Sequence, residues 1–385
     1  MKVLGLLLTT VACVLSAPIL EGHGETIPNK WIVVMKEDSD LGTIASRMAD
    51  HIGDFVPQHA YHIGKFKGYS MEASDILMNS ISNLAEVEYV EPDVKVSINA
   101  LQTQPEASWG LARISSREPG TSQYVYDESA GEGTYAYIID TGIYTDHPDF
   151  GGRASFGASF VEGDDTESDG HGHGTHVAGT AASVTYGVAK KANLIAVKVL
   201  GSDGSGALSQ VIAGIQWAVE DAASKGRIGK AVGNLSLGAL SLTTSSVNAA
   251  AAAAVEAGLF LAVAAGNSAI PANLYAPASE ETVCTVGASD ANDARASFSN
   301  YGDLIDVFAP GVDIVSTYNN GSTAVLSGTS MAAPHVAGLG AYLLALEGEM
   351  NPIALCERIQ ELATKGVVTD SLSTNDMVAY NGNAL

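Results

Sequence analysis

Residues 193–223 read NLIAVKVL, then GSDGSGAL, then SQVIAGIQWAVEDAA, and this run decides the fold. Its first eight residues are apolar apart from Asn193 and Lys198, the pattern of a short strand buried on both faces. Glycines at 201, 204 and 206 then break the chain. From Ser209 to Ala223 the apolar residues recur at helical spacing, with Val211, Ile212, Ile215, Ala218 and Val219 on one side. Strand, glycine loop and helix make one βα unit.

Working outward, the same grammar repeats. Apolar segments at 134–140 (TYAYIID), 232–237 (VGNLSL), 258–265 (GLFLAVAA), 281–288 (ETVCTVGA) and 304–309 (LIDVFA) alternate with helical runs His173–Ala182, Thr243–Ala257 and Met331–Leu346. The expectation is an α/β domain, a mostly parallel sheet with helices on both faces. Functional groups should gather at the carboxyl ends of its strands.

The front of the chain is different. Residues 27–98 hold KWIVVMK, a helical stretch from Gly42 to Ile52, FKGYSMEAS, a second helical stretch from Ser74 to Ala85, and VEYVEPDVKV. That reads strand–helix–strand–helix–strand, a small α+β sandwich of the ferredoxin-like kind. The polar, aperiodic SINALQTQPEAS that follows is a linker. MKVLGLLLTTVACVLSAP at the start has the basic residue, short apolar run and small residues of a secretory signal. The expected organisation is a signal peptide at 1–17, a small α+β domain at 18–99 and the α/β domain at 100–385. Cys13 leaves with the signal, and Cys284 and Cys356 remain as an even pair on an oxidising route, so one disulfide is the default.

The net charge of −24 argues against nucleic acid, whose phosphates need Lys and Arg. No later apolar run reaches spanning length without polar interruption, so a released product without a membrane partner is expected.

Three residues carry chemistry. Asp140 closes the first strand of the α/β part, in YIIDTGI. His173 lies in DGHGHGTHVAG at the start of a small-residue helix, and spacing alone does not choose among His171, His173 and His176. Ser330 lies in SGTSMAAPHVAG, where a glycine-broken loop enters a helix, with Pro334 expected in its first turn. Each alone reads as a cap, turn or packing residue. Together they form a nucleophile, a base of suitable pKa and a carboxylate to orient that base. Asn267, after a glycine at the end of AVAAGN, can offer its amide to a developing oxyanion. Alternating histidines also raise a metal site, but no matching acidic or Cys ligand pattern accompanies them.

In these four segments, IIDTGI, HGHGTHVAGT, AAGNSA and SGTSMAAPHVAG, the chain resembles the fungal subtilases of the proteinase K group, the secreted alkaline proteases. The order Asp, His, Ser is also the one used by subtilisin. The likeness runs from Trp109 almost to the C-terminus, and residues 28–98, with YVEPD, resemble the family's inhibitory propeptide. It implies a secreted serine endopeptidase of broad specificity, made as a self-processing zymogen, with His173 as the base. It implies an extended polypeptide substrate held between Gly204–Ser205–Gly206 and Ser236–Leu237–Gly238, with Leu208 over a distal subsite. A primary pocket walled by 236–238 and 264–266 would accept aliphatic and aromatic side chains. The resemblance further implies structural Ca2+ on the carbonyls of Glu281 and Val283 and the Asp306 carboxylate. It matches a family disulfide to Cys284 and Cys356, and it implies a monomer inhibited by its own propeptide, with self-cleavage at Asn99–Ala100. Of two glycosylation sequons, Asn320 lies in a polar turn, whereas Asn234 belongs to a buried strand. A silent subtilase fold kept as a binding protein would usually show a lost triad or oxyanion residue, and none is lost. An α/β-hydrolase esterase would need G-x-S-x-G where this chain has G-T-S-M-A. A nucleotide-binding enzyme would need G-x-G-x-x-G or a P-loop, and neither is found.

Overall fold

The run 193–198 is a strand of a seven-stranded sheet, one place in from its edge. In the computed structural model, residues 16–20, 26–40, 42, 57–95, 101–164, 166–241 and 246–383 are described. The chain divides into two compact units, Met1–Ile98 and Asn99–Leu385.

In the first unit, β1 (Thr26–Met35), β2 (His59–Ile63), β3 (Phe66–Glu72) and β4 (Val87–Val94) form one sheet in the order β2-β3-β1-β4. Every pairing in it is antiparallel. That is the strand order of a ferredoxin-like sandwich. Alternate residues Val33 and Met35 of β1, with Tyr69 and Met71 of β3, pack with Met78 and Ile81 of α1 (Asp75–Ile81). The sequence reading needs one addition here. It gave one strand between the two helices, whereas β2 and β3 form a hairpin around Gly64 and Lys65. β2 was hidden because it is an edge strand with little buried surface. The first expected helix, after Gly42, lies outside the described residues.

The second unit is built on β5 (Tyr135–Asp140), β6 (Ala154–Ser159), β7 (Asn193–Lys198), β8 (Ala231–Leu235), β9 (Phe260–Ala264), β10 (Cys284–Ser289) and β11 (Val307–Pro310). Their order is β11-β10-β9-β8-β5-β7-β6, and all neighbours run parallel. The continuous apolar strands are explained by two cores, one on each face. Ala136, Ile138, Leu194, Ala196, Val232 and Ala262 face the side covered by α2 (His173–Ala182) and α5 (Thr329–Glu347). Tyr137, Ile139, Ile195, Val197 and Leu261 face α3 (Leu208–Ser224) and α4 (Ser246–Glu256). By length and apolar content α5 could cross a membrane, yet here it is a buried core helix. The edge strand β6 was not anticipated, because ASFGAS is only partly buried and carries no apolar run.

Cys284, opening β10, is bonded to Cys356 of α6 (Pro352–Leu362), with Cα atoms 5.7 Å apart. Parallel strands place all seven carboxyl ends on one edge of the sheet, and the chemistry collects there.

Candidate active site

Asp140 is the last residue of β5 and is fully buried. Its Oδ1 accepts hydrogen bonds from the Thr141 amide and from His173 Nδ1, both at 2.7 Å. His173 is the first residue of α2, with 21 % of its side chain exposed. The residue before it, Gly172, has φ 104°, and a Cβ there would lie 2.3 Å from the Tyr318 ring. Only glycine fits a left-handed turn under an aromatic ring. Burial lowers the His173 pKa, but the Asp140 charge and hydrogen bond, with the Asp169 charge, outweigh it and raise it above the ordinary imidazole value.

The other two histidines separate from this one. His176 is buried, its Nε2 against the Ile314 carbonyl at 2.9 Å, and desolvation lowers its pKa to about 4. His171 is exposed at the cleft, its ring centroid 6.3 Å from that of His173. Of the three histidines that spacing leaves open, His173 is the one bonded to Asp140.

Ser330 is the second residue of α5, behind Gly328 and Thr329. The amides of a first helical turn have no partner in their own helix and point outward. Pro334 is the sixth residue of the helix, beyond the first turn where it was expected. Lacking an N–H, it cannot bond the carbonyl four residues back, which is that of Ser330. Ser236 Oγ donates to that carbonyl at 2.8 Å, while Ser330 Oγ donates to the Ser236 carbonyl at 3.0 Å. The two serines thus tie the 236–238 segment to the start of α5. The hydroxyl of Ser330 is directed to Ser236 rather than to His173, a looseness common in catalytic groups without substrate.

Asn267 follows β9. Its Oδ1 accepts from the Thr329 amide at 2.8 Å and from Thr329 Oγ1 at 2.9 Å, and Thr329 Oγ1 in turn accepts from the Gly266 amide at 3.1 Å. With Oδ1 so held, the planar amide turns Nδ2 the other way.

His173, Ser330, Asn267, the segments 204–206 and 236–238, and Ala264 and Gly266 all line one cavity of about 420 Å³. The two segments expected to hold an extended substrate are therefore on its wall, whereas Ala265 and Leu208 do not line it. Leu208 is the first residue of α3 and is exposed. The sequence reading missed Tyr275. Its hydroxyl donates to the Gly238 carbonyl at 3.0 Å, and a Cβ on Gly238 or Gly266 would come within 2.5 Å and 2.8 Å of its ring. The two glycines seat that ring in the wall of the cavity. It also missed Asp169, whose carboxylate is buried beside the Asp140–His173 pair.

Asp306 is a half-buried carboxylate beside β11, with Oδ1 accepting from Gln360 Nε2 and Oδ2 from the Thr285 amide, both at 2.8 Å. Burial pushes its pKa up to about 6, with no cation contributing. A carboxylate short of positive charge, near the loop of Glu281 and Val283, fits a hard cation. Cys284 and Cys356 lie close to it but are spent on each other as a disulfide, which removes a soft-metal alternative. Asn320 is exposed at the tip of the 314–326 hairpin, and Asn234 is fully buried with Nδ2 on Ser236 Oγ at 2.9 Å. Asn99 and Ala100 lie outside the described residues.

Comparisons with known proteins agree with this arrangement. Residues 131–377 match the model of the subtilase family, and residues 30–99 match that of peptidase inhibitor I9. The chain is 46 % identical over 409 residues to Subtilisin-like protease 6 of Arthroderma benhamiae, covering 99 % of this chain and 98 % of that one. It is 46 % identical over 396 residues to Subtilisin-like serine protease Pen ch 13 of Penicillium rubens, with the same coverage of 99 % and 98 %. Among solved structures it resembles a cold adapted subtilisin-like serine proteinase with a TM-score of 0.68 and 40 % identity, over 72 % of this chain and 98 % of that one.

Proposed function

Because this chain belongs to the subtilase family of serine proteases and carries an I9 inhibitor segment before its catalytic domain, we propose that it is a secreted, self-processing endopeptidase of broad specificity. Asp140, His173 and Ser330 are its triad, and Asn267 is its oxyanion donor. The observation that carries this reading is the 2.7 Å bond between Asp140 and His173 in the cavity that also holds Ser330 and Asn267.

An extended peptide lies between 204–206 and 236–238, held by main-chain hydrogen bonds that any sequence can make. The side chain before the scissile bond enters the space bounded by Ala264, Gly266 and Tyr275. The Ser330 hydroxyl turns from Ser236 to His173, gives its proton to Nε2, and Oγ bonds to the carbonyl carbon. Asp140 holds Nδ1–H and stabilises the imidazolium. The tetrahedral oxyanion is received by Asn267 Nδ2 and the Ser330 amide. His173 then protonates the leaving amine as the C–N bond breaks. A water gives its proton to His173 as its oxygen bonds to the acyl carbon; the bond to Ser330 Oγ then breaks, the acid leaves, and His173 returns the proton to Oγ.

Structural Ca2+ would be held by the carbonyls of Glu281 and Val283 and by Asp306, where it would supply the missing positive charge and tie the loop. The I9 segment inhibits the protease it precedes. Cleavage falls at Asn99–Ala100, the product is a monomer, and Asn320 carries glycan. The test compares secreted wild type with Ser330→Ala on casein and a chromogenic peptide, with and without phenylmethylsulfonyl fluoride. Hydrolysis lost to the sulfonyl fluoride, with an unprocessed Ser330→Ala chain, is expected. A processed, folded wild-type protein that hydrolyses nothing would overturn the reading.

A further inference from the structure

Asp169 stands in the loop that leads to α2 and is 4 % exposed. Its Oδ1 accepts from Thr141 Oγ1 at 2.8 Å, the His171 amide at 3.0 Å and the Gly172 amide at 2.8 Å. Its Oδ2 accepts from the Thr175 amide at 2.9 Å and Thr175 Oγ1 at 2.6 Å. All five donors are uncharged.

Part of this is helix capping. Gly172 occupies the cap position and has no side chain, so Asp169 satisfies the Thr175 amide in its place. A cap would need one oxygen only. The other reaches Thr141, the residue after Asp140. Thr141 Oγ1 also accepts from the Gly174 amide at 2.9 Å, and the Thr141 amide donates to the same Asp140 oxygen that receives His173. The bonds close a ring through Asp169, Thr141, Asp140, His173 and the first turn of α2. One buried carboxylate thereby joins the strand end that carries Asp140 to the helix start that carries His173.

We infer that Asp169 is the positioning residue of the Asp140–His173 pair, setting the separation and orientation of the two side chains through Thr141 on one side and the 171–175 backbone on the other. This inference rests on that pair being the catalytic one. It touches neither substrate nor reacting atoms and acts only through the pair.

Its negative charge has a second effect. It is one of the groups that favour the His173 imidazolium. The other titratable groups around that ring are Asp140, bonded to it, His171 and His176 on the same segment, and Asp203 on the cavity wall. Behind Thr141, the Lys198 ammonium donates to its carbonyl at 3.0 Å. Removing the Asp169 charge lowers the pKa of His173, so the acid limb of the activity profile moves to lower pH.

The experiment uses the full chain as wild type, Asp169→Asn, Thr141→Val and His173→Ala, with kcat, KM and pH profile on a peptide substrate and a thermal midpoint. Asparagine offers one acceptor and sets an N–H2 against donors. A pair displaced by about 1 Å loses on the order of 10²-fold in kcat, and that is the loss expected for Asp169→Asn, with KM little changed. Its acid limb should shift down. Thr141→Val should lower kcat while leaving the limb in place, because the Asp169 charge remains. Wild-type kcat and limb in Asp169→Asn, or a fall in thermal midpoint alone, would overturn the inference. If Asp169→Asn does not fold, Thr141→Val decides, and wild-type kcat there also overturns it. His173→Ala separates the two levels. Activity retained in His173→Ala refutes the catalytic pair itself, whereas an inactive His173→Ala beside a normal Asp169→Asn refutes only the positioning role.

Discussion

Thr329→Val tests whether the oxyanion donor is aimed by the residue next to the nucleophile. Two bonds hold Asn267 Oδ1, one from the Thr329 amide and one from its hydroxyl. Valine keeps the volume and the first bond but removes the second. A single neutral hydrogen bond contributes about 0.5–1.5 kcal/mol. If all of it is felt in the transition state, kcat falls about 2- to 13-fold. Asn267→Ala removes the donor itself, and loss of such a donor in a subtilisin costs about 2.7–4 kcal/mol. The deciding assay is the double mutant, measured as kcat on a peptide substrate. Thr329 acts through Asn267, so Thr329→Val should cost little further in the Asn267→Ala background. The Gly266 amide also loses its acceptor in Thr329→Val, a stability loss of about 1–3 kcal/mol that appears in the thermal midpoint of both backgrounds. Equal kcat losses from Thr329→Val in the two backgrounds would falsify the aiming role.

Four further outcomes are expected. Activity should rise with pH through a His173 pKa above its ordinary value, because only the neutral ring can accept the Ser330 proton. Stability runs the other way for that group, since a raised folded pKa gives stability at low pH that is lost as pH rises through it. His176 and His335, both lowered to about 4, destabilise the fold as pH falls from the ordinary imidazole value towards that point; urea titrations across this window should show proton uptake on unfolding. Ca2+ should raise the thermal midpoint more at about pH 8 than at about pH 5, because a ligating carboxylate must be ionised and Asp306 titrates at about 6 without the ion. An increment that survives Asp306→Asn would place the ion elsewhere. Replacing Cys284 and Cys356 by serine opens a loop spanning 72 residues and should cost about 4 kcal/mol by chain entropy, read from denaturant midpoints; a loss under about 1 kcal/mol would reject that account.

The parts of the fold that were legible are those where one physical demand acts on consecutive residues. β5, β7, β8, β9 and β10 must be apolar on both faces because helices cover both, and such runs stand out. The edge strands β2 and β6 answer to no such demand, so ordinary-looking residues fill them. The site divides along the same line. Asp140, His173, Asn267 and Ser330 each sit at the end or start of a regular element, where an isolated polar residue is conspicuous. Tyr275 and Asp169 were missed for a different reason. Tyr275 reaches the cavity from a segment far along the chain, and its place depends on two glycines, Gly238 and Gly266, that leave room for a ring. Asp169 sits in a run of Asp, Gly and His where attention falls on the histidines, and its five donors come from two stretches of chain, Thr141 and 171–175. A group that performs chemistry can be recognised by its type and its place on an element. A group that only holds others in position is recognisable by its partners, and those exist only once the chain has folded. The nucleophile, base and oxyanion donor are therefore the readable part of a catalytic sequence, and the residues that aim them, Asp169 and Thr329 here, have to be found in the structure.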